Sequence, residues 1–122
     1  MKRAVVVCLG AALLATAAAA HHSFAVYDTE TNVELVGIVG TLNFRNPHIA
    51  MTLISSEGNG EEIVYVLEGA PANMLVRIGL RPESVQPGKL IRVIASPRKD
   101  DPGALLLKAI ILQDGTRFQI LN

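Results

Sequence analysis

The chain has 122 residues, is 50% hydrophobic and only 4% aromatic, and balances eleven Lys and Arg against eleven Asp and Glu. That length builds one hydrophobic core rather than two. Near-neutral charge without clustered Lys and Arg speaks against a sequence-independent hold on nucleic acid, so the expected partner is a metal ion or another protein, and no nucleic acid is expected.

The chain opens with the basic Met1-Lys2-Arg3, followed by an apolar run from Ala4 to Leu14 and small residues from Ala15 to Ala20. These are the three parts of a secretory signal. The apolar stretch to Ala20 sits at the short limit of the roughly 17–25 residues a spanning helix needs, and no basic stop-transfer cluster follows. The expected division is a signal peptide over 1–20, touching the membrane only transiently, and a single periplasmic or secreted domain over 21–122. Cys8 is the only cysteine and falls within the signal, so the exported chain offers no disulfide and no thiolate. Removing twenty residues from 122 leaves 102, and losing Lys2 and Arg3 leaves nine bases against eleven acids.

Beyond the signal, Val33 to Phe44 reads as one long strand, with Val36, Ile38, Leu42 and Phe44 expected on one face. Gly37 and Gly40 interrupt it, as glycines do where a strand bulges or coils. Pro47 breaks the pattern, because it restricts Asn46 and cannot donate to a ladder. Ile49 to Ser55 is a second strand and Ile63 to Glu68 a third. Pro71 then suits the first turn of a helix whose Met74, Leu75 and Ile78 share a face, and Gly79 suits the position past its end. Pro87-Gly88 fits a type II turn, Leu90 to Ala95 is a fourth strand, and Ala104 to Leu112 a fifth. Asp114-Gly115 reads as a tight hairpin into Arg117 to Leu121.

Three strands, a short helix, then two or three strands is the order of the oligonucleotide/oligosaccharide-binding (OB) barrel. The expected class is therefore all-β with one short helix, a small OB-like barrel of five to six strands. A β-sandwich is the competing architecture. The long first strand favours the barrel, since it must serve both halves.

The chain also carries His21-His22-Ser23-Phe24, Asn46-Pro47-His48, Glu68 and Pro87-Gly88, in that order. In these motifs it resembles a family of small exported bacterial proteins, domain of unknown function 6152. The resemblance spans nearly the whole exported chain and implies fold and export, not an activity. Tryptophans common in that pattern are replaced here by Ile49-Ala50, Tyr65 and Leu80, so an aromatic binding surface is not carried over.

All three histidines lie in the two most distinctive motifs. Cleavage after Ala20 frees an amine on His21, which with the His21 imidazole can close a chelate ring, His22 being adjacent. Cleavage after Ala19 instead places a histidine third, where an amine, two deprotonated amides and an imidazole form a square-planar set. Both arrangements suit Cu(II) or Ni(II), which favour square nitrogen sets, better than zinc, which wants a closed tetrahedral site. His48 opens the second strand at the barrel rim, and Glu68, ending the third, is placed to reach that rim as carboxylate ligand or hydrogen-bond acceptor. The candidate metal residues are therefore His21, His22, His48 and Glu68, with copper as the possible cofactor and Asn46 and Pro47 as binding surface. The plainer readings are a polar tail for His21 and His22, a strand cap for His48, and an acceptor of helix amides at Pro71 to Met74 for Glu68.

Ser23, His22 and Asp28 have the residue types of a hydrolytic triad but sit on one short segment, without the convergence a triad needs. The leading expectation is a non-enzymatic periplasmic binding protein holding a copper-like ion. A metal-free interaction module using the barrel face and the loops at Arg45–Pro47 and Arg98–Pro102 is the alternative, and an oxidative copper enzyme the third. Intact mass of the exported protein should give a chain starting at His21, or at Ala20. A species retaining Lys2 and Arg3 would rule out the amino-terminal chelate.

Overall fold

The first strand, β1 (Val33–Asn43), serves two neighbours in turn. Its first half pairs antiparallel with β4 (Leu90–Pro97), from Val33–Ala95 to Ile38–Leu90. Its second half pairs with β2 (Ala50–Ser56), from Ile38–Ile54 to Asn43–Ala50. Gly37 lies where the partner changes, and a Cβ there would stand 2.5 Å from the Ile54 carbonyl oxygen. The register shifts between Val39 and Thr41. That extra residue reverses inside and outside along the strand. Val36 and Ile38 are each 47% exposed, whereas Val39 is buried and Leu42 and Phe44 pack against the core. The expected single face of Val36, Ile38, Leu42 and Phe44 is corrected accordingly.

The computed structural model describes residues 24–56 and 58–122. The expected signal over 1–20 lies outside the described residues, as do His21, His22 and Ser23. β3 (Glu62–Glu68) pairs antiparallel with β2 along its length and then parallel with β5 (Ala104–Ile111), from Val66–Ala104 to Glu68–Leu106. β5 pairs antiparallel with β4, which returns to β1. The circle β1-β2-β3-β5-β4 is a closed five-stranded barrel. β6 (Arg117–Gln119) adds one strand by hairpin to β5. This is the expected OB-like, mostly β architecture with one short helix.

The interior is aliphatic, with Ile49, Met51, Leu53, Leu67, Val93, Leu105, Leu107 and Ile110 all essentially inaccessible. Helix α1 (Ala72–Arg77) follows Pro71 and ends before Gly79, which takes φ +93°. Only Leu75 of its expected apolar face is buried, joined in the core by Leu80 and Val85 beyond the helix. Met74 and Ile78 are 38% and 39% exposed, because six residues turn too little to bury a broad stripe. β6 stops at Gln119 rather than Leu121, since the Ile120 and Leu121 amides both donate to the Lys108 carbonyl and leave the ladder.

Gly37→Ala should destabilise the barrel by about 1–3 kcal/mol, because β2 backbone must move to admit a methyl group. Gly58→Ala, where nothing lies within 4 Å of the added carbon, should stay within about 0.5 kcal/mol. Urea unfolding of both variants checks the contrast, and equal effects would contradict it.

Candidate functional site

The β1–β2 loop carries a cis Asn46–Pro47 peptide, and the Asn46 side-chain oxygen accepts the Asn73 N–H at 3.1 Å in the first turn of α1. Just beyond, Ile49 N–H donates to the Ala70 carbonyl at 3.1 Å, and Gly69 N–H donates to the Ile49 carbonyl at 3.0 Å. This exchange clips the start of β2 to the end of β3. It sets His48 Nδ1 3.2 Å from the Gly69 carbonyl oxygen and 3.9 Å from Glu68 Oε1, with both side chains partly open to solvent.

The third contributor is the segment before β1. Residues 25–32 form a strap held to the ends of β4 and β5 by main-chain and side-chain bonds. Asp28 N–H donates to the Pro97 carbonyl at 2.8 Å, and Lys99 N–H to the Val26 carbonyl at 2.9 Å. Lys99 Nζ also reaches the Ala25 carbonyl at 2.9 Å. The ammonium of Lys108, a residue only 8% exposed, donates to the Thr29 carbonyl at 3.1 Å and to Asn32 Oδ1 at 3.0 Å.

Tyr27 bridges to Arg98 through its backbone, and its hydroxyl donates to Glu68 Oε2 at 3.1 Å. It thus crosses β5, which lies between β4 and β3, and leaves Leu106 2% exposed on that strand. Burial pushes the Tyr27 phenol up to about 12, with the Glu68 charge and hydrogen bond adding to it. One turn ahead of Tyr27, the Phe24 ring meets the His48 ring edge-on, 6.4 Å between centroids and 85° between planes.

Of the expected metal residues, His48 and Glu68 come together, while His21 and His22 lie outside the described residues. Among the described residues, no three of His, Cys, Asp and Glu gather as a metal-holding group. Asn46 and Pro47 are exposed at the same end of the barrel. Glu68 accepts from Tyr27 rather than from the helix amides, one of which is taken by Asn46. Sequence reasoning missed the anchoring roles of Tyr27 and Lys108. The available signal was a single lysine inside the apolar run Leu105-Leu106-Leu107-Lys108-Ala109-Ile110.

A second feature lies away from His48. A recess of about 520 Å³ opens on the outer face of β1, β4, β5 and β6, lined by Val36, Ile94, Ile111, Arg117 and the Glu34–Arg92 ion pair. That pair closes to 2.6 Å. In the Arg98–Pro102 loop, Arg98 is engaged by Asp100 at 2.7 Å.

The chain belongs to DUF6152, a family of unknown function whose pattern matches residues 9–105. No curated protein matches the sequence. Among solved structures it is similar to the mitochondrial single-stranded DNA-binding protein Rim1 of S. cerevisiae, with 17% identity over 74% of this chain and 96% of that one, and a TM-score of 0.49. The expectation of no nucleic acid among the partners is corrected here. It rested on the near-neutral charge and the scarcity of aromatics, and these properties do not exclude such a partner. At this identity the likeness concerns the fold and assigns no ligand to this chain.

The Tyr27–Glu68 bond makes a pH prediction. A phenol ionises near 10 in the unfolded chain and at about 12 in the fold. Its contribution is therefore complete below about pH 10 and is lost as pH rises through about 12. Tyr27→Phe should cost about 1 kcal/mol near neutral pH, and the gap between wild type and variant should close over that alkaline window. Denaturant unfolding against pH measures it, and a gap that stays constant would contradict the assignment.

Proposed function

We propose that this DUF6152 protein is exported as a small barrel that holds a copper-like ion, using His21 and His22 of its amino-terminal segment and His48 on the barrel rim. The observation that carries the reading is the Phe24 ring against His48, at the end of a strap bonded to the barrel through Ala25, Val26, Tyr27, Asp28 and Thr29. His22 is two residues before Phe24 and His21 three. A chain spans at most about 3.3–3.6 Å per residue, so covalent linkage alone limits the His21 Cα to about 11 Å from the Phe24 Cα.

The chemistry follows from the donors. Cleavage after Ala20 gives His21 a free amine, whose reference pKa of about 7.7–8.0 lets a metal displace its proton near neutral pH. Amine, imidazole and His48 nitrogen make the nitrogen-rich set that Cu(II) favours. An exported chain without cysteine offers no competing thiolate. The protein's role in this reading is to hold or pass the ion, not to turn over a substrate.

A second reading, a metal-free interaction module, draws on the outer barrel face. Val64, Ile54, Ile38 and Leu90 are aligned by register across β3, β2, β1 and β4, with Val64, Ile38 and Leu90 exposed by 56%, 47% and 40%. Copper titration separates the two. The exported protein should bind one Cu(II) about tenfold more tightly than a peptide of residues 21–28, a difference of about 1.4 kcal/mol. His48→Ala should fall to the peptide's affinity, and acidification through the imidazole range near pH 6.5 should release the ion. Equal affinities for wild type, His48→Ala and peptide would mean that the barrel adds nothing, and the interaction module would take precedence.

A further inference from the structure

Three elements meet the His48 ring, and two of them bear on the same nitrogen. The Gly69 carbonyl oxygen is 3.2 Å from Nδ1. A carbonyl has no proton to give, so the contact is a hydrogen bond only when Nδ1 carries the proton. Glu68 Oε1, at 3.9 Å, is beyond hydrogen-bond range but brings negative charge to that side of the ring. Negative charge there favours an N–H over a lone pair at Nδ1. Glu68 is itself restrained, because Tyr27 donates to its other oxygen at 3.1 Å and its backbone lies in the β3–β5 pairing opposite Leu106. The third element, Phe24, touches the ring edge-on and offers no hydrogen-bonding atom.

We propose that the end of β3 locks His48 in the tautomer protonated at Nδ1, leaving Nε2 as its donor atom for the ion, with Glu68 and Tyr27 as positioning residues rather than ligands. A neutral imidazole carries one proton, so fixing it at Nδ1 leaves the lone pair on Nε2, across the ring from Gly69. Metal-bound histidines in general give their other N–H to a carbonyl or carboxylate, which sets the ring's orientation and raises its basicity. Here that half of the arrangement is built from Gly69, Glu68 and Tyr27. Glu68 thereby moves from the ligand set to the group behind the ligand. The inference deepens the copper reading and rests on it for the ion, while the tautomer is a property of the metal-free protein and is measured without it.

The test has two arms. Long-range ¹H–¹⁵N correlation of the metal-free exported protein, above the pH at which the imidazoles are neutral, should show His48 with a protonated Nδ1 and an unprotonated Nε2. Glu68→Gln and Tyr27→Phe should move the ring toward the other tautomer, with thermal unfolding confirming that each variant still folds. His48 protonated at Nε2 in the wild type would overturn the lock. Unchanged His48 signals in both variants would overturn the positioning roles. In the second arm, Cu(II) titration, Glu68→Gln should weaken binding by less than His48→Ala does. An equal loss would make Glu68 a ligand and overturn the proposal. Failure of the wild type to outbind the short peptide would count against the copper reading, a result separate from the tautomer measurement.

Discussion

Three parallel residue pairs, Val66–Ala104, Leu67–Leu105 and Glu68–Leu106, join β3 to β5 and close the barrel. Parallel neighbours require a long crossover, and everything between Gly69 and Gly103 serves as one: α1, the short 3-10 turn at Pro82–Ser84 and β4. The seam alternates in function as well as in direction. Leu67 and Leu105 face the core, while Glu68 and Leu106 face outward. The outward pair is what the strap covers. Without closure, β3 would end in solvent, Glu68 would have no fixed position, and Tyr27 would have nothing to span.

The strap is held by a mixture of apolar cover and directed polar bonds. Burying a side chain of the size of Leu106 or Tyr27 stabilises by roughly 1.5–3 kcal/mol. A buried ammonium is unfavourable without partners, and Lys108 has two oxygens from the strap itself. Removing the strap would therefore expose Leu106 and strip Lys108 of both acceptors. Ser96, in register with Leu106 on β4, buries a hydroxyl that has no hydrogen-bond partner among the described residues. The segment leading back to His21 and His22 thus begins from Phe24, beside a histidine that has the Glu68 carboxylate at 3.9 Å.

Much of the fold was legible because the barrel obeys simple alternation. Ile49, just before β2, alternates inward with Met51 and Leu53 on it, and Val64, Val66 and Glu68 alternate outward on β3. That parity is also why Glu68 could be placed at the rim beside His48 from sequence. The bulge in β1 was foreseeable from Gly37 and Gly40, but its effect on facing was not, since either glycine could carry the extra residue that reverses the pattern. Helix α1 was recognisable from Pro71 and Gly79, yet its shortness left Met74 and Ile78 outside. The strap was the least legible element. Its anchors are backbone amides and carbonyls, two lysine ammoniums and a tyrosine hydroxyl, and they acquire partners only when β3, β4, β5 and the amino-terminal segment meet in space.

In the proposed reading, His48 offers its Nε2 lone pair to an ion that the amino-terminal donors also hold. Anomalous diffraction at the copper edge, from crystals of the chain beginning at His21 loaded with one equivalent of Cu(II), tests this directly. The account predicts one anomalous peak at bonding distance from His48 Nε2 and from the His21 amine or imidazole, with Glu68 still hydrogen-bonded to Tyr27. A copper ion held by the amino-terminal residues alone, or seated on Glu68 with Tyr27 displaced, would contradict it.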